Sequence, residues 1–255
     1  MDILDYLSNM EIDAEYSPWV EKGEFDWSCF TSDIKPKRFK KNKIIYQQQE
    51  DTQYVYLVES GRVRLSVYSV DGEEKSLFIA EKGCLFGEIS CLDSIPNFAN
   101  ATVIVDSLIY AIPKQVFMDT LRQNHMCALN VISLLNRKIR ILSTQIKQLS
   151  FDDSYYRVCN ALIHLTKQFG VKIDNGYRLS IKFTHQEMAN LIGLNRVTVT
   201  NIFISMTNKD ILAKDNGYYI IKDMDKLHDY ITANPKIRRQ TFDANPFAGN
   251  DKSDR

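Results

Sequence analysis

The 255-residue sequence predicts an α+β protein in three parts: an N-terminal antiparallel β-barrel or jelly roll, one long helix, and a C-terminal winged helix-turn-helix. Three observations predict it. From Phe39 to about Ile112, short β-type runs alternate with turn residues. After Asn124, apolar residues recur at helical spacing for several turns. From Thr184 to Met206 the chain reads THQEMANLIGLNRVTVTNIFISM, which places small and apolar residues where two short helices joined by a tight turn need them.

Composition bounds the possibilities. With 44% apolar and 25% charged residues the chain is an ordinary globular protein, and its length suggests about two domains. No apolar run reaches the ~18–20 residues of a membrane span. The start, MDILDYLSNMEIDAEY, is acidic where a signal peptide is basic, so a cytoplasmic protein with no membrane partner is expected. Net charge is zero, yet residues 1–151 hold 17 Lys/Arg against 20 Asp/Glu and the remainder 15 against 12. That asymmetry has the sign of a DNA-binding C-terminal half, although it is small. The five cysteines, Cys29, Cys84, Cys91, Cys127 and Cys159, contain no CxxC pair and indicate neither a zinc knuckle nor a disulfide framework. His125, His164, His185 and His228 lack metal-ligand spacing. No catalytic constellation emerges, so an enzyme is not expected.

In chain order, the segment before Lys35 is acidic and rich in rings (Tyr16, Trp19, Phe25, Trp27, Phe30), which predicts packing without revealing a role. Six or more strands follow: KIIYQQQ, QYVYLVES, GRVRLSVYSV, EKSLFIAE, ATVIVD and SLIYAI. Asp71-Gly72 marks a hairpin, and Gly61, Gly83 and Gly87 punctuate the other runs. A barrel of this size either holds one small ligand or is filled by its own side chains, and composition does not choose. Pro113 suits a first helical turn. In the long helix, at about 125–150, Ile132, Leu135, Ile139, Leu142, Ile146 and Leu149 keep a strict 3-4-3-4-3 spacing. Ile at each a position and Leu at each d position favours two parallel helices, hence a homodimer. Val131, Leu134 and Ile141 widen the apolar face, so the same helix should also pack on its own barrel.

Phe151 to Ser154 form the boundary between domains 1–151 and 152–233, Asp152 to Ser154 can cap a helix ending at Gly170, and the polar tail 234–255 reads as disordered. Asn175-Gly176 and Asn216-Gly217 are hairpin signals on either side of the helix pair, and Asp223 caps a last helix to about Ala233. Thr184 with Glu187 makes a capping box, Gly193 can end the first helix at positive φ, and Asn195 can cap the second. Val199, Ile202, Phe203 and Met206 share one stripe, leaving Val197 and Asn201 on the far side. Arg196 would read guanine, Val197 a thymine methyl and Asn201 adenine, with Thr198 and Thr200 offering hydroxyls. Thr184, His185, Gln186 and Asn195, at the helix starts, complete the candidate DNA-binding set. A purely structural helix pair is the alternative.

With these residues in hand, the span from Phe39 to Ile231 resembles the CRP/FNR superfamily of bacterial transcription regulators. YVYLVESGRVRL followed by LFGEIS resembles its cyclic-nucleotide-binding-like barrel, and THQEMANLIGLNRVTVTN its reading head. The resemblance implies an effector-sensing barrel, a dimerisation helix, palindromic double-stranded DNA and RNA polymerase as partners. It places effector contacts at Gly87, Glu88, Ile89, Ser90, Ala99, Asn100 and Ser143. In cAMP-binding members a second site supplies Arg-Ser to the phosphate; here it reads Asn97-Phe98-Ala99-Asn100-Ala101, without a cation. Leu142 stands where those members carry a threonine, and Gln49 replaces a usual barrel glycine. The implied effector is therefore an unknown small molecule other than cAMP. Only Cys29 lies where oxygen-sensing members need a cysteine cluster, so no iron–sulfur cluster is expected. Arg196, Val197 and Asn201 depart from the commoner reading residues, which implies a different operator, and Val-Thr-Val resembles members that respond to halogenated phenols. Two alternatives stand beside this reading: a thiol- or haem-based redox or gas sensor using Cys84, Cys91, Cys127 and His125, and a regulatory module without DNA binding.

Overall fold

The computed structural model describes residues 20–21 and 25–232. In chain order the elements are β1 (Val20–Glu21), α1 (Ser28–Thr31), β2 (Lys37–Phe39), β3 (Ile44–Tyr46), β4 (Tyr54–Tyr68), β5 (Glu74–Ala80), β6 (Leu85–Phe86), α2 (Glu88–Asp93), β7 (Asn100–Pro113), α3 (Lys114–Gln123) and α4 (His125–Phe151). After them come α5 (Ser154–Phe169), β8 (Gly170–Ile173), β9 (Gly176–Leu179), α6 (His185–Ile192), α7 (Arg196–Asn208), β10 (Leu212–Asp215), β11 (Tyr218–Ile221) and α8 (Met224–Thr232). Among the described residues the chain divides into two compact units, one holding 20–152 with Thr184–Val199, the other Asp153–Phe183 with 200–232. The predicted tail and Ala233 lie outside the described residues.

In the first unit the sheet runs β1-β5-β4-β7-β2, with β3 on β7 and β6 on β4. Every pairing is antiparallel except β1 with β5. Two expected strand breaks are absent. QYVYLVES and GRVRLSVYSV form the single 15-residue β4, and ATVIVD and SLIYAI fuse into β7. The glycine between the first two bends a strand instead of ending it: Gly61 has φ 94°, and a Cβ there would lie 2.1 Å from Ser107 Oγ. Three register shifts between Val58 and Val63 absorb the bend. Gln49 adopts φ 69°, a left-handed conformation unusual for a residue with a side chain.

Apolar alternation fills two adjoining cores. Val63, Leu65, Phe78, Val103 and Ile109 pack with Ile141 of α4 inside the barrel. Trp27, Phe30, Leu57 and Phe117 pack with Val131 and Leu134 of the same helix. Trp27 Nε1 also donates to Gly83 O at 2.7 Å, so part of the aromatic N-terminal segment is anchored. This packing overturns the cysteine expectation, because Cys29 and Cys127 form a disulfide across 98 residues. Local spacing could not show it, since only the docking of α1 beside the start of α4 brings the two sulfurs together. Cys84, Cys91 and Cys159 are buried thiols.

The second unit carries a four-stranded sheet in the order β10-β11-β9-β8. Asp153 caps α5 by accepting from Tyr156 N at 2.8 Å, and Asp223 caps α8 by accepting from Lys226 N at 2.9 Å. Asn216 and Gly217, at φ 49° and 84°, form the tight turn expected of Asn-Gly. The other hairpin turns one residue earlier, on Asp174-Asn175, because Ile173 pairs with Gly176. Gly176 meets a different demand: a Cβ there would come within 2.1 Å of Ile221 O. Tyr219 then stacks on Phe183 and takes Phe203 of α7 edge-on.

Candidate functional site

The tight turn after β6 starts the first candidate site. Gly87, at φ 81°, leads into α2, and a Cβ on it would sit 3.2 Å from Tyr54 O. Glu88 therefore enters the barrel, where it meets Lys138 from α4. Lys138 Nζ donates to Glu88 Oε1 at 2.8 Å and to Leu85 O at 2.7 Å, and lies 5.4 Å from the Phe78 ring centroid. Their side chains are 1% and 4% exposed. Glu88 Oε2 is buried without a hydrogen-bond partner among the described residues. Burial first, and the Glu88 charge second, push the nearby Tyr46 phenol well above its ordinary value.

Tyr46, Leu65 and Phe78 wall this pocket together with Gly87 to Ser90, Asn97 to Ala99 and Lys138, leaving a free cavity of about 10 Å³. Of the expected effector residues, Gly87, Glu88, Ile89, Ser90 and Ala99 converge there. Two do not. Asn100 Oδ1 accepts from Gln48 N at 2.6 Å, which ties down the β3–β4 loop, and Ser143 is exposed on α4. Lys138 was not foreseen, although it lies on a legible stripe: Val131, Leu134, Lys138, Ile141, Gln145 and Gln148 are the buried positions along the helix after Cys127. A lysine in such a stripe is costly to bury unless something pairs with it.

The opposite side of α4 is apolar and exposed. Ile132, Ile139, Ile146 and Leu149 are 53%, 60%, 64% and 46% exposed. Leu135 and Leu142 instead half-bury against the two cores, so the six heptad residues do not share one environment.

The second candidate site is the helix pair. Thr184 Oγ1 accepts from Glu187 N at 3.1 Å while Glu187 Oε2 accepts from Thr184 N at 2.7 Å, the reciprocal capping box. Gly193 closes α6 at φ 67°, and Asn195 Oδ1 accepts from Thr198 N at 2.7 Å to start α7. Val199, Ile202, Phe203 and Met206 are buried as the stripe requires. Arg196, Val197 and Asn201 are exposed, Val197 to 67%, while Thr198 and Thr200 are half-buried. Thr184 and Gln186 are exposed and His185 half-buried. Gln186 donates to Asn190 Oδ1 at 2.6 Å, and Thr184 and Asn195 are engaged as caps, while Arg196, Val197 and Asn201 stand on the exposed face of α7.

Among the described residues no three His, Cys, Asp or Glu side chains come together as a metal site, and no helix is long and apolar enough to cross a membrane. Comparison with known proteins adds two family matches: a cyclic nucleotide-binding domain over residues 36–124 and a Crp-like helix-turn-helix domain over residues 156–230. The chain is 29% identical to a cyclic AMP receptor protein of Thermus thermophilus, over 72% of this chain and 82% of that protein. It is 28% identical to the global nitrogen regulator of a Nostoc species, over 69% and 79%. Among solved structures, a CooA mutant from Carboxydothermus hydrogenoformans shares the fold with a TM-score of 0.67 at 24% identity, covering 82% of this chain and 92% of that one.

Proposed function

Because this chain belongs to the CRP/FNR superfamily of transcription regulators, with its cyclic nucleotide-binding domain and Crp-like helix-turn-helix, we propose that it works as a homodimer whose barrel pocket senses a small effector other than cAMP. Two copies of α7 read inverted half-sites one duplex turn, about 34–36 Å, apart. RNA polymerase is the downstream partner.

One observation carries this reading. Lys138 lies in the pocket at 4% side-chain exposure, and the next residue, Ile139, is 60% exposed on the outer face of the same helix. A change at the pocket therefore acts on the helix that presents the dimer surface. An effector shifts the protein between arrangements only as far as it binds one of them better. Ile139→Ala/Ile146→Ala tests the interface, since both side chains stand exposed on the outer face of α4 and truncating such residues in a packed interface costs about 2–5 kcal/mol each. Monomer in sedimentation at micromolar concentration, with loss of binding to a palindrome selected from randomised DNA, is the expected result. An unchanged dimer places the interface elsewhere.

The Cys29–Cys127 disulfide favours a second reading, a thiol-based sensor on the same scaffold. It does so without Cys91 or Cys159, whose thiols burial pushes up to about 11 and about 12, leaving them protonated and weakly nucleophilic. Equal DNA affinity for oxidised and reduced protein removes this reading.

A further inference from the structure

We propose that the pocket takes an uncharged effector that donates an N–H or O–H to Glu88 Oε2, and that Lys138, held by Glu88 as an internal ion pair, closes the site to anions, cyclic nucleotides included. This rests on the barrel being the effector site.

Charge balance is the first support. Among the described residues, Glu88 and Lys138 are the only charged ones that line the pocket, and they meet at 2.8 Å with both side chains under 5% exposed. Together they bring a net charge of zero. A lysine alone would attract an anion, but this one is already neutralised, so an entering anion would lose its hydration without gaining a counterion. The 97–101 stretch adds no cation, and Asn97 Nδ2 is committed to Glu50 O at 2.9 Å.

Hydrogen bonding is the second. Lys138 reaches Leu85 O as well as Glu88 Oε1, whereas Glu88 Oε2 is buried without a partner among the described residues. An unmet buried acceptor is costly, and a ligand donor relieves that cost. The walls select an apolar body, since Leu65, Phe78 and Ala99 are each at most 2% exposed. A free cavity of about 10 Å³ holds no more than one water, so the effector must displace a side chain. Phe98, 37% exposed on the pocket wall, is the one with room to leave.

The test titrates the full-length protein with four probes of similar size, benzyl alcohol, benzamide, toluene and benzoate, and with cyclic AMP, following thermal shift and heat. Benzyl alcohol and benzamide are expected to bind more tightly than toluene, and benzoate and cyclic AMP not to bind. Glu88→Gln keeps the volume but strips Lys138 of its counter-charge, so this variant should gain benzoate and cyclic AMP binding by roughly tenfold or more, the worth of a charge-assisted hydrogen bond. Lys138→Met added to Glu88→Gln should abolish that gain. Benzoate or cyclic AMP binding the wild type as well as the alcohol overturns the charge rule while leaving the effector site standing, and this arm stands even if Glu88→Gln fails to fold. Binding of none of the probes overturns the effector site itself and this proposal with it.

Discussion

In the barrel pocket Glu88 and Lys138 are sealed from water and answer each other at 2.8 Å, whereas on α7 Val197 is 67% exposed and Arg196 and Asn201 face solvent. In the pocket Lys138 Nζ is given to Glu88 Oε1, while Glu88 Oε2 has no hydrogen-bond partner among the described residues. The outer face of α7 keeps Arg196 and Asn201 at the surface. Removing one member of a buried pair strands the other charge, whereas trimming an exposed side chain costs little stability. Substitutions in the two places should separate folding from binding.

The largest separation is expected from Lys138→Ala, which leaves the Glu88 carboxylate buried without its cation and should cost about 3–5 kcal/mol in urea unfolding. Arg196→Ala should stay within about 0.5 kcal/mol of wild type in the same measurement. Equal losses would break the contrast.

A half-buried histidine of α5, His164, sharpens it. Burial first and Lys167 second lower the His164 pKa from 6.5 to about 4. The unfolded chain then takes up a proton near pH 6.5 that the folded chain refuses until about pH 4. Stability should be complete above pH 6.5, fall as the pH drops through that window, and level off below it, by roughly 3 kcal/mol at most. His164→Gln should flatten this part of the pH dependence of the melting temperature.

On DNA, Arg196→Ala should weaken the selected site by about 1–3 kcal/mol and flatten preference at one base pair per half-site, as loss of a bidentate guanine contact does. Uniform weakening of all sequences, with a smaller salt slope, would make Arg196 a phosphate contact. Val197→Glu should move preference towards a cytosine-bearing pair, because a carboxylate accepts from cytosine N4. Selections that return the wild-type motif would show that this face does not meet the bases.

The smallest effect belongs to the helix start. Thr184→Ala removes one half of the capping box and should destabilise by about 1 kcal/mol in urea unfolding while leaving the selected motif unchanged.

The reading head was legible because its determinants are local. A capping box joins residues three apart, Gly193 sets its own φ of 67°, and the buried stripe of α7 follows from helical period alone. The strands were legible as apolar alternation, but their ends were not: a glycine marks a turn or a bend depending on the neighbouring strand, as Gly61 and Gly176 show against Ser107 and Ile221. The pocket was half legible. The loop from Gly87 to Ser90 came from a contiguous motif, whereas Lys138 arrived from a helix 50 residues away.

By itself, then, the sequence determined the order of barrel, long helix and winged helix pair, because patterning and turn chemistry act between near neighbours. Only the tertiary structure decided that Lys138 pairs with Glu88, that Cys29 meets Cys127, and that Leu135 and Leu142 turn partly inward while Ile139 stays out. These contacts depend on how elements dock, and docking sums many weak apolar contacts that no single stretch of chain encodes.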